Sequence, residues 1–362
     1  MINKAKFKPT GHRRPVHRPR EYEQAEGGLE LAFVRFMQDF EEDSWFREHF
    51  GYYSALDSID GLEFSLDDIN TMLSGYGGDY KDENDPYKLG VFISACYSKL
   101  PDTEITFNLD LETEYLGYML PEDKVLIIDT EASSKSIGGC SKSISGGPTG
   151  AVVNRAFDNN DRTVSFSKDV RLVNYGCGYS GFHLESDGIL VNYNDFIGYS
   201  QNNGVIINFG SIEYMSSGCG IKPNRPAHQK ENTLCRGIFI NYGKGGLDTN
   251  YGITVNCGEV EGYSSLFKVD NILLNLNELD SDFVRSRVRD DSLFLDKQEC
   301  NEMPELVEYF DALRASFEPG KDDYRAALAA ISALGDNPRF TLQRDILKII
   351  RGHGHYVYGL DA

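Results

Sequence analysis

The sequence predicts an α+β protein in which a central right-handed parallel β-solenoid of about seven to nine short coils is flanked by helical N- and C-terminal caps. Three observations lead to this fold class. A short phrase, made of a small residue, three mostly apolar residues and Asn, returns through the middle of the chain. Its copies recur every 15 to 20 residues, and apolar residues at helical spacing precede and follow them. The 362 residues are 40% hydrophobic, which is enough for a large buried core.

The repeated phrase is clearest at residues 204–208, which read GVIIN. Close copies are GILVN at 188–192, GIFIN at 237–241, GITVN at 252–256 and NILLN at 271–275, and weaker copies end at Asn154, Asn174 and Asn224. Residues 125–129 resemble the phrase with Asp129 in place of Asn. Steps between successive Asn residues are 20, 18, 16, 16, 17, 15 and 19 residues, which is too short for propeller blades and fits one coil of a β-solenoid.

Asn at the end of each phrase is expected to be a structural corner. Asn tolerates left-handed backbone geometry and can bond the local backbone, and Gly or Asn two residues later supplies a second corner. Asn side chains stacked in neighbouring coils can also form a hydrogen-bonded ladder. The residues given this structural role are Asn154, Asn174, Asn192, Asn208, Asn241, Asn256 and Asn275.

Part of the repeat resembles a known domain. The stretch Asp195-Phe196-Ile197-Gly198-Tyr199, then residues 203–210, Ile212 and Met215-Ser216-Ser217-Gly218, resembles the glycine-punctuated coils of the GXGXG domain. That domain forms the C-terminal end of the glutamate synthase large subunit and occurs in the C-type subunit of formylmethanofuran dehydrogenase. The resemblance covers residues 150–277, with Asn replacing many corner glycines, and does not extend to the flanks. It implies a β-solenoid scaffold against which other domains pack, with no catalytic residues to carry over.

Four segments follow from these patterns: a disordered basic arm at 1–20, a helical region at 21–100, the solenoid at 101–290 and a helical cap at 291–362. In the second segment, helical spacing begins at Leu29, Ser65 and Asp68 predict a capping box, and residues 87–100 predict a helix that ends before Pro101. In the last segment, helices are predicted for an apolar stripe from Leu306 to Phe317 and for residues 324–334 and 340–350. We expect these helices to cover the strand edges at the two ends of the solenoid.

Charge is distributed unevenly. The net charge is −20, yet the arm contains only basic charges, so the other 342 residues carry 29 bases and 56 acids, a net −27. An acidic body repels nucleic acid and anionic membranes, whereas the arm attracts both. The arm is therefore a solubilising terminus, a segment that contacts the acidic body of its own chain, or a segment that binds an anionic partner such as nucleic acid through Lys4, Lys6, Lys8, Arg13, Arg14, Arg18 and Arg20.

A second locally basic stretch lies at residues 222–236. Pro223 and Pro226 interrupt the fifth coil there, and proline cannot donate a hydrogen bond to a sheet. A loop is expected, and loops on a rigid scaffold are where binding usually resides. Arg225, His228, Lys230 and Arg236 are the candidate ligand-binding residues, for an anionic or carbohydrate ligand.

Other chemistry is weakly indicated. Glu259 and Glu261 fall on one side of a strand, but we expect no basic partner for them in the adjacent coil. The glycine-rich stretch 138–150 lacks the phosphate-loop order, the acidic loop 75–85 lacks calcium-loop spacing, and His353 and His355 form only a weak metal motif. We therefore predict no catalytic residue, no metal and no cofactor.

Compartment and function complete the prediction. No apolar run reaches 18 residues, the basic start has no secretory h-region, and seven scattered cysteines form no C-x-x-C pair. These features favour a cytoplasmic protein that does not enter a membrane. The predicted function is a non-catalytic structural or protein-interaction scaffold, able to form oligomers. Two alternatives stay open: an enzyme or ligand-binding protein that uses the 222–236 loop, and a nucleic-acid-associated protein that uses the arm.

Overall fold

The computed structural model describes residues 28–39, 47–76, 85–108, 113–129, 134–137, 150–155, 164–166, 171–176, 182–184, 188–202, 204–215, 237–247, 252–263, 271–290 and 292–356. The basic arm and the 222–236 loop lie outside these residues, as do residues 77–84 of the acidic loop and 138–149 of the glycine-rich stretch. The described chain is a mixed α/β protein whose strands form parallel sheets of ten, six and two strands.

The strands alternate between two larger sheets along the chain. The ten-stranded sheet runs, in spatial order, β1 Glu104–Phe107, β3 Val125–Ile128, β5 Ala151–Asn154, β7 Arg171–Asn174, β9 Ile189–Asn192, β11 Val205–Asn208, β13 Ile238–Asn241, β15 Ile253–Asn256, β17 Ile272–Asn275 and β18 Leu293–Leu295. The six-stranded sheet consists of β6 Val164–Phe166, β8 Phe182–Leu184, β10 Asp195–Asn202, β12 Ser211–Met215, β14 Lys244–Leu247 and β16 Glu259–Tyr263. β2 Thr113–Leu116 pairs with β4 Ser134–Ile137. Every pairing is parallel, so equivalent strand ends lie at the same edge.

Strand register confirms most of the repeat. Each phrase-ending Asn from Asn154 to Asn275 is paired with the Asn of the next strand. β11 pairs directly with β13, which is compatible with the loop expected from Pro223 and Pro226, and the weak copy that ends at Asn224 lies outside the described residues. One expectation is wrong. Ile128, not Asp129, is aligned with Asn154, because Asp129 lies one residue beyond the end of β3.

Helices precede and follow the sheets. The first group is α1 Leu29–Asp39, α2 Arg47–Ser58, α3 Leu66–Tyr76 and α4 Asp85–Lys99; the second is α5 Ser281–Arg285, α6 Lys297–Asn301, α7 Pro304–Phe317, α8 Tyr324–Ala333 and α9 Pro338–Gly352, with a 3₁₀ turn at Glu318–Lys321. The predicted capping box is confirmed, since the backbone N–H of Ser65 donates to Asp68 Oδ2 at 2.8 Å and that of Asp68 donates to Ser65 Oγ at 3.3 Å. The sequence did not predict α2 or β18.

Strand residues of the ten-stranded sheet face two separate cores. One core lies against the six-stranded sheet and continues into α1–α4; it includes Leu172, Leu190, Ile206, Phe239, Leu273, Ile212 and Leu247. The other core lies against the C-terminal helices; it includes Val191, Ile207, Ile240, Val255 and Leu274 together with Leu306, Phe310, Ile346 and Ile350. Because both faces are buried, the strands are apolar at nearly every position instead of alternating.

The longer C-terminal helices α7, α8 and α9 are therefore not the end cap that we expected, whereas α6 contacts β17 and β18, the last strands of the sheet. α8 contacts β7 and α9 contacts β13, so the helices lie along the outer face of the ten-stranded sheet. The physical reason is the second row of apolar residues on each strand, which would otherwise be exposed to water. Burying such a face stabilises the fold by about 25 cal/mol for each Å² removed from water, and covering an edge alone would leave it exposed.

A row of aromatic residues anchors this packing. Tyr175, Tyr193, Phe209 and Tyr242 each follow a phrase-ending Asn, and their rings are stacked with centroids 5.3, 5.3 and 5.1 Å apart. Three hydroxyls point at the C-terminal helices: Tyr193 donates to the Phe317 carbonyl and Tyr242 to the Phe310 carbonyl, both at 2.7 Å, and Tyr175 donates to the Gly320 carbonyl. The stack thus fixes the position of α7 and of the 3₁₀ turn along the sheet.

The Tyr97 hydroxyl gives a test of the core. Tyr97 is fully buried in α4, and this hydroxyl has no hydrogen-bond partner among the described residues. A buried hydroxyl without a partner destabilises a fold by about 1–3 kcal/mol. We expect Tyr97→Phe to leave the free energy of unfolding unchanged or to raise it by about 1 kcal/mol, measured by urea denaturation.

Tyr193→Phe is the matched control, because it removes the same hydroxyl from a residue that does make a hydrogen bond. It should lower the free energy of unfolding by about 1 kcal/mol. If Tyr97→Phe proves the more destabilising of the two, the Tyr97 hydroxyl has a partner and the prediction fails.

Candidate functional site

A ladder of Asn side chains runs through the ten-stranded sheet. The Nδ2 atom of each Asn donates to Oδ1 of the next, at 2.7 Å from Asn154, 2.7 Å from Asn174, 2.8 Å from Asn192, 2.9 Å from Asn208, 3.0 Å from Asn241 and 2.9 Å from Asn256, which bonds Asn275. All seven side chains are buried, at most 6% exposed. The predicted ladder is confirmed, and its amides are occupied by one another.

Local backbone bonding at these Asn residues is also confirmed. The amide of Asn192 donates to the carbonyl of Asn194, two residues later, at 2.7 Å, and Asn208 bonds Gly210 in the same way at 3.1 Å. The left-handed geometry expected at the corners is not found. Among the described residues, Met119 is the only non-glycine residue with a positive φ.

Glycine occurs at the second corner, two residues after the Asn, for a steric reason instead. A Cβ atom on Gly243 would collide with the Gly210 carbonyl oxygen and lie 2.7 Å from the Phe209 carbonyl carbon. A Cβ on Gly258 would collide with the Gly243 carbonyl oxygen in the same manner. At Gly243 and Gly258 the preceding turn approaches too closely for a side chain, whereas Asn194 and Asn277 occupy the same corner in other layers and donate to the carbonyls of Tyr175 and Gly258.

The ladder ends at an ion-paired helix cap. β18 continues the alignment by one layer, since Leu274 pairs with Leu295, and the next residue is Asp296 instead of Asn. Asp296 caps α6, accepting backbone N–H bonds from Gln298 and Glu299 at 3.0 Å each, and its Oδ2 lies 2.9 Å from Arg285. The Glu299 N–H and the Arg285 guanidinium lower the pKa of Asp296 below its usual value. An aspartate in this layer thus starts a helix instead of extending the ladder.

The two glutamates of β16 have a basic partner, contrary to our expectation. Lys244, on the neighbouring strand β14, is paired in register with Glu259. Its Nζ lies 3.3 Å from Glu259 and 3.7 Å from Glu261, and these carboxylates raise its pKa. All three side chains are more than half exposed, so this is a surface ion pair with a small effect on stability.

The groups with the most strongly shifted pKa values are fully or partly buried. Burial raises the pKa of Tyr97, Tyr175, Tyr193, Tyr242 and Tyr309 above the usual tyrosine value. Burial likewise raises the pKa of the Cys96 and Cys257 thiols, and that of Cys300 to about 12. A thiol with a raised pKa is a poor nucleophile, because the reactive form is the thiolate. These shifts indicate packing and no activated nucleophile.

A surface cavity of about 430 Å³ lies between α7 and α9. Tyr309 and Ile349 contribute its apolar part, and Glu305, Asp345, Lys348, Gly352 and His353 complete the lining. The His353 ring nitrogen Nε2 lies 3.1 Å from Glu305 Oε2. Within the described residues, no group of three or more His, Cys, Asp or Glu side chains could hold a metal ion.

The sequence-predicted binding residues do not fall in the described part of the chain. Arg225, His228, Lys230 and Arg236 lie outside the described residues, as do Lys4, Lys6, Lys8, Arg13, Arg14, Arg18 and Arg20 of the arm. Both assignments stay predictions. Sequence reasoning missed two features. The α7–α9 cavity is not marked by any local sequence pattern. The aromatic stack could have been predicted, because an aromatic residue follows four of the Asn residues.

Comparison of the chain with protein-family models, curated proteins and solved structures finds no match. The class of protein is therefore defined by the fold alone. It is a mixed α/β chain in which successive strands alternate between two larger parallel sheets, and a layer of helices lies along the ten-stranded sheet. In the described part of the chain, no helix is both long enough and apolar enough to cross a bilayer.

Proposed function

We propose that the protein is a non-catalytic scaffold of the cytoplasm, built on a right-handed parallel β-solenoid that presents surfaces to protein partners. Strand alternation between two parallel sheets and the in-register stacking of the repeat support the solenoid. The resemblance of residues 150–277 to the GXGXG domain agrees with it. Scattered cysteines without a paired pattern support the compartment.

The observation that carries this proposal is that the repeated Asn side chains hydrogen-bond one another inside the protein. In a repeat that forms an active site, such side chains reach a cleft and leave donors or acceptors for a substrate. Here the seven ladder Asn residues are buried and bond one another and the local backbone. Their chemistry maintains the register of the layers, which is what a rigid scaffold requires.

Native mass spectrometry of the gently purified full-length protein tests the proposal. We expect the mass of the bare chain, alone or with a protein subunit. A stoichiometric small-molecule mass that is lost in the triple variant Arg225→Ala, His228→Ala and Lys230→Ala would overturn the scaffold in favour of a ligand-binding protein or enzyme. The matched control is Lys244→Ala, which removes a basic side chain from the exposed ion pair of the six-stranded sheet.

The second candidate function, a ligand-binding protein or enzyme, is supported by the length of chain between β11 and β13. β11 and β13 are direct neighbours, yet 29 residues, 209–237, separate them along the chain, whereas 11 residues, 242–252, separate the neighbouring β13 and β15. The extra length contains the basic residues Arg225, His228, Lys230 and Arg236. Insertions of this kind between rigid strands are common positions for binding sites.

A further inference from the structure

The paired helices α7 and α9 form a surface of mixed charge on the side of the molecule turned away from the ten-stranded sheet. Their buried residues, Leu306 and Phe310 on α7 and Ile346 and Ile350 on α9, pack on the sheet. Glu308 and Lys348 are each two residues from such positions and are exposed. They therefore lie on the outward side of their helices.

The two helices carry opposite charge. α7 contains three acids, Glu305, Glu308 and Asp311, and one base, Arg314, for a net charge of −2. α9 contains four bases, Arg339, Arg344, Lys348 and Arg351, and one acid, Asp345, for a net charge of +3. A basic helix is unusual in a chain of net charge −20, and it lies beside an acidic one.

The helices are antiparallel. Glu305 in the first turn of α7 meets His353 just beyond the end of α9, and Tyr309, one turn further along α7, lines the cavity with Ile349 and Asp345. Along the surface, Glu308 and Lys348 thus lie at similar heights on adjacent helices. The cavity between the helices leaves parts of Tyr309 and Ile349 open to solvent.

We propose that this α7–α9 surface binds a second copy of the chain, with a two-fold axis that lies between the two helices and parallel to them. Such an axis places α7 of each copy over α9 of the other, so the acidic helix faces the basic one twice. An axis across the helices would instead place each helix over itself and oppose like charges. Symmetric dimers use one self-complementary patch, and this surface has that property.

A mixed patch offsets the repulsion between two acidic chains. Each copy has a net charge of −20, so two copies repel each other overall. On the α7–α9 surface, Lys348 of one copy lies at the height of Glu308 of the other. Complementary charges of this kind fix the register of an interface and exclude wrong partners.

The contact is small, which sets the expected affinity. Helices of 14 and 15 residues are about 21–22 Å long, and packed side by side they form a face roughly 20 Å wide. Such a face covers roughly 400 Å², about half of the roughly 800 Å² per partner that is standard for specific interfaces. The dimer should therefore dissociate on dilution, with a Kd of micromolar order.

Sedimentation equilibrium of the full chain tests the dimer. Wild type should show a monomer–dimer equilibrium, and Lys348→Glu and Glu308→Lys should each weaken it by about tenfold, because each change turns two attractive contacts into repulsive ones. The double variant Glu308→Lys with Lys348→Glu exchanges the charges and should recover an affinity within about threefold of wild type. Lys99→Glu on α4 is the matched control for net charge and should have no effect.

Cross-linking tests the axis. A mixture of Glu308→Cys and Lys348→Cys chains, treated with a short bismaleimide, should give a linked dimer above the wild-type background, and neither variant alone should do so. A chain that stays monomeric at high concentration overturns the proposal. So does a dimer insensitive to both charge reversals, or a cross-link through the introduced thiols when either variant is treated alone. These outcomes leave the scaffold proposal untouched, because that rests on the sheet layers.

Discussion

Asn208→Ala should destabilise the protein by about 3–5 kcal/mol, more than truncation at either end of the ladder. Asn208 lies at the middle of the series, where it accepts from Asn192 at 2.8 Å and donates to Asn241 at 2.9 Å and to Gly210 at 3.1 Å. Removing its amide leaves a donor on Asn192 and an acceptor on Asn241 buried without partners. Each such group destabilises a fold by about 1–3 kcal/mol, which exceeds the net value of the bonds themselves.

The measurement is urea denaturation followed by circular dichroism, with Asn275→Ala as the control. Asn275 is the last Asn of the series, so its removal breaks one ladder bond, from Asn256, and leaves one neighbour without a partner. We expect about 1–3 kcal/mol for this variant. Equal losses at the two sites would mean that the ladder bonds are replaced by water and do not stabilise the stack.

Gly243→Ala should have an effect of similar size, of about 3 kcal/mol or more, and should prevent folding if the layers cannot separate. The new methyl would collide with the Gly210 carbonyl oxygen and lie 2.7 Å from the Phe209 carbonyl carbon. These atoms belong to backbone whose N–H and C=O groups bond the adjacent layers, for example Lys244 N–H to Gly210 O at 2.8 Å. The backbone could move away from the new methyl group only by breaking those hydrogen bonds, so the collision costs free energy in either case.

Gly262→Ala is the control for Gly243→Ala. Gly262 also lies in the six-stranded region, in β16, but nothing is within 4 Å of a Cβ built there and its φ is not positive. We expect a change within about 0.5 kcal/mol, because alanine restricts the unfolded chain slightly and meets no steric obstacle. Thermal unfolding of both variants tests whether close approach is the cause. If Gly262→Ala lowers the stability as much as Gly243→Ala does, glycine is needed in this sheet for a reason other than close approach.

The ladder and the glycines together explain why the layers keep one register. A strand that slipped by one residue would move an Asn onto an apolar neighbour and a side chain onto a glycine position. Both errors bury an unpaired amide or create a collision. Asp296 ends the series because its carboxylate accepts the backbone N–H groups of Gln298 and Glu299 at the start of α6 and, unlike an amide, has no N–H to donate to a further Asn.

Sequence reasoning worked best where a residue's role was local. The strands ending at Asn192, Asn208, Asn241 and Asn256 were predicted within a residue, and so was the capping box at Ser65 and Asp68. It failed where distance along the chain and distance in space differ. The Lys244 pairing with Glu259 depends on register between strands, which a single phrase does not contain.

By itself, the sequence determined the strands of the repeated phrase, the Asn ladder and most of the helices, because these follow from side-chain periodicity and hydrogen-bonding capacity within a few residues. Only the tertiary structure decided that the C-terminal helices lie along the outer face of the ten-stranded sheet and that α7 and α9 form a surface of opposite charges. The reason is that an apolar stripe specifies that a helix must be buried but not against which surface. That choice depends on which face of the assembled sheet still exposes apolar area, and such a face exists only after the strands have stacked.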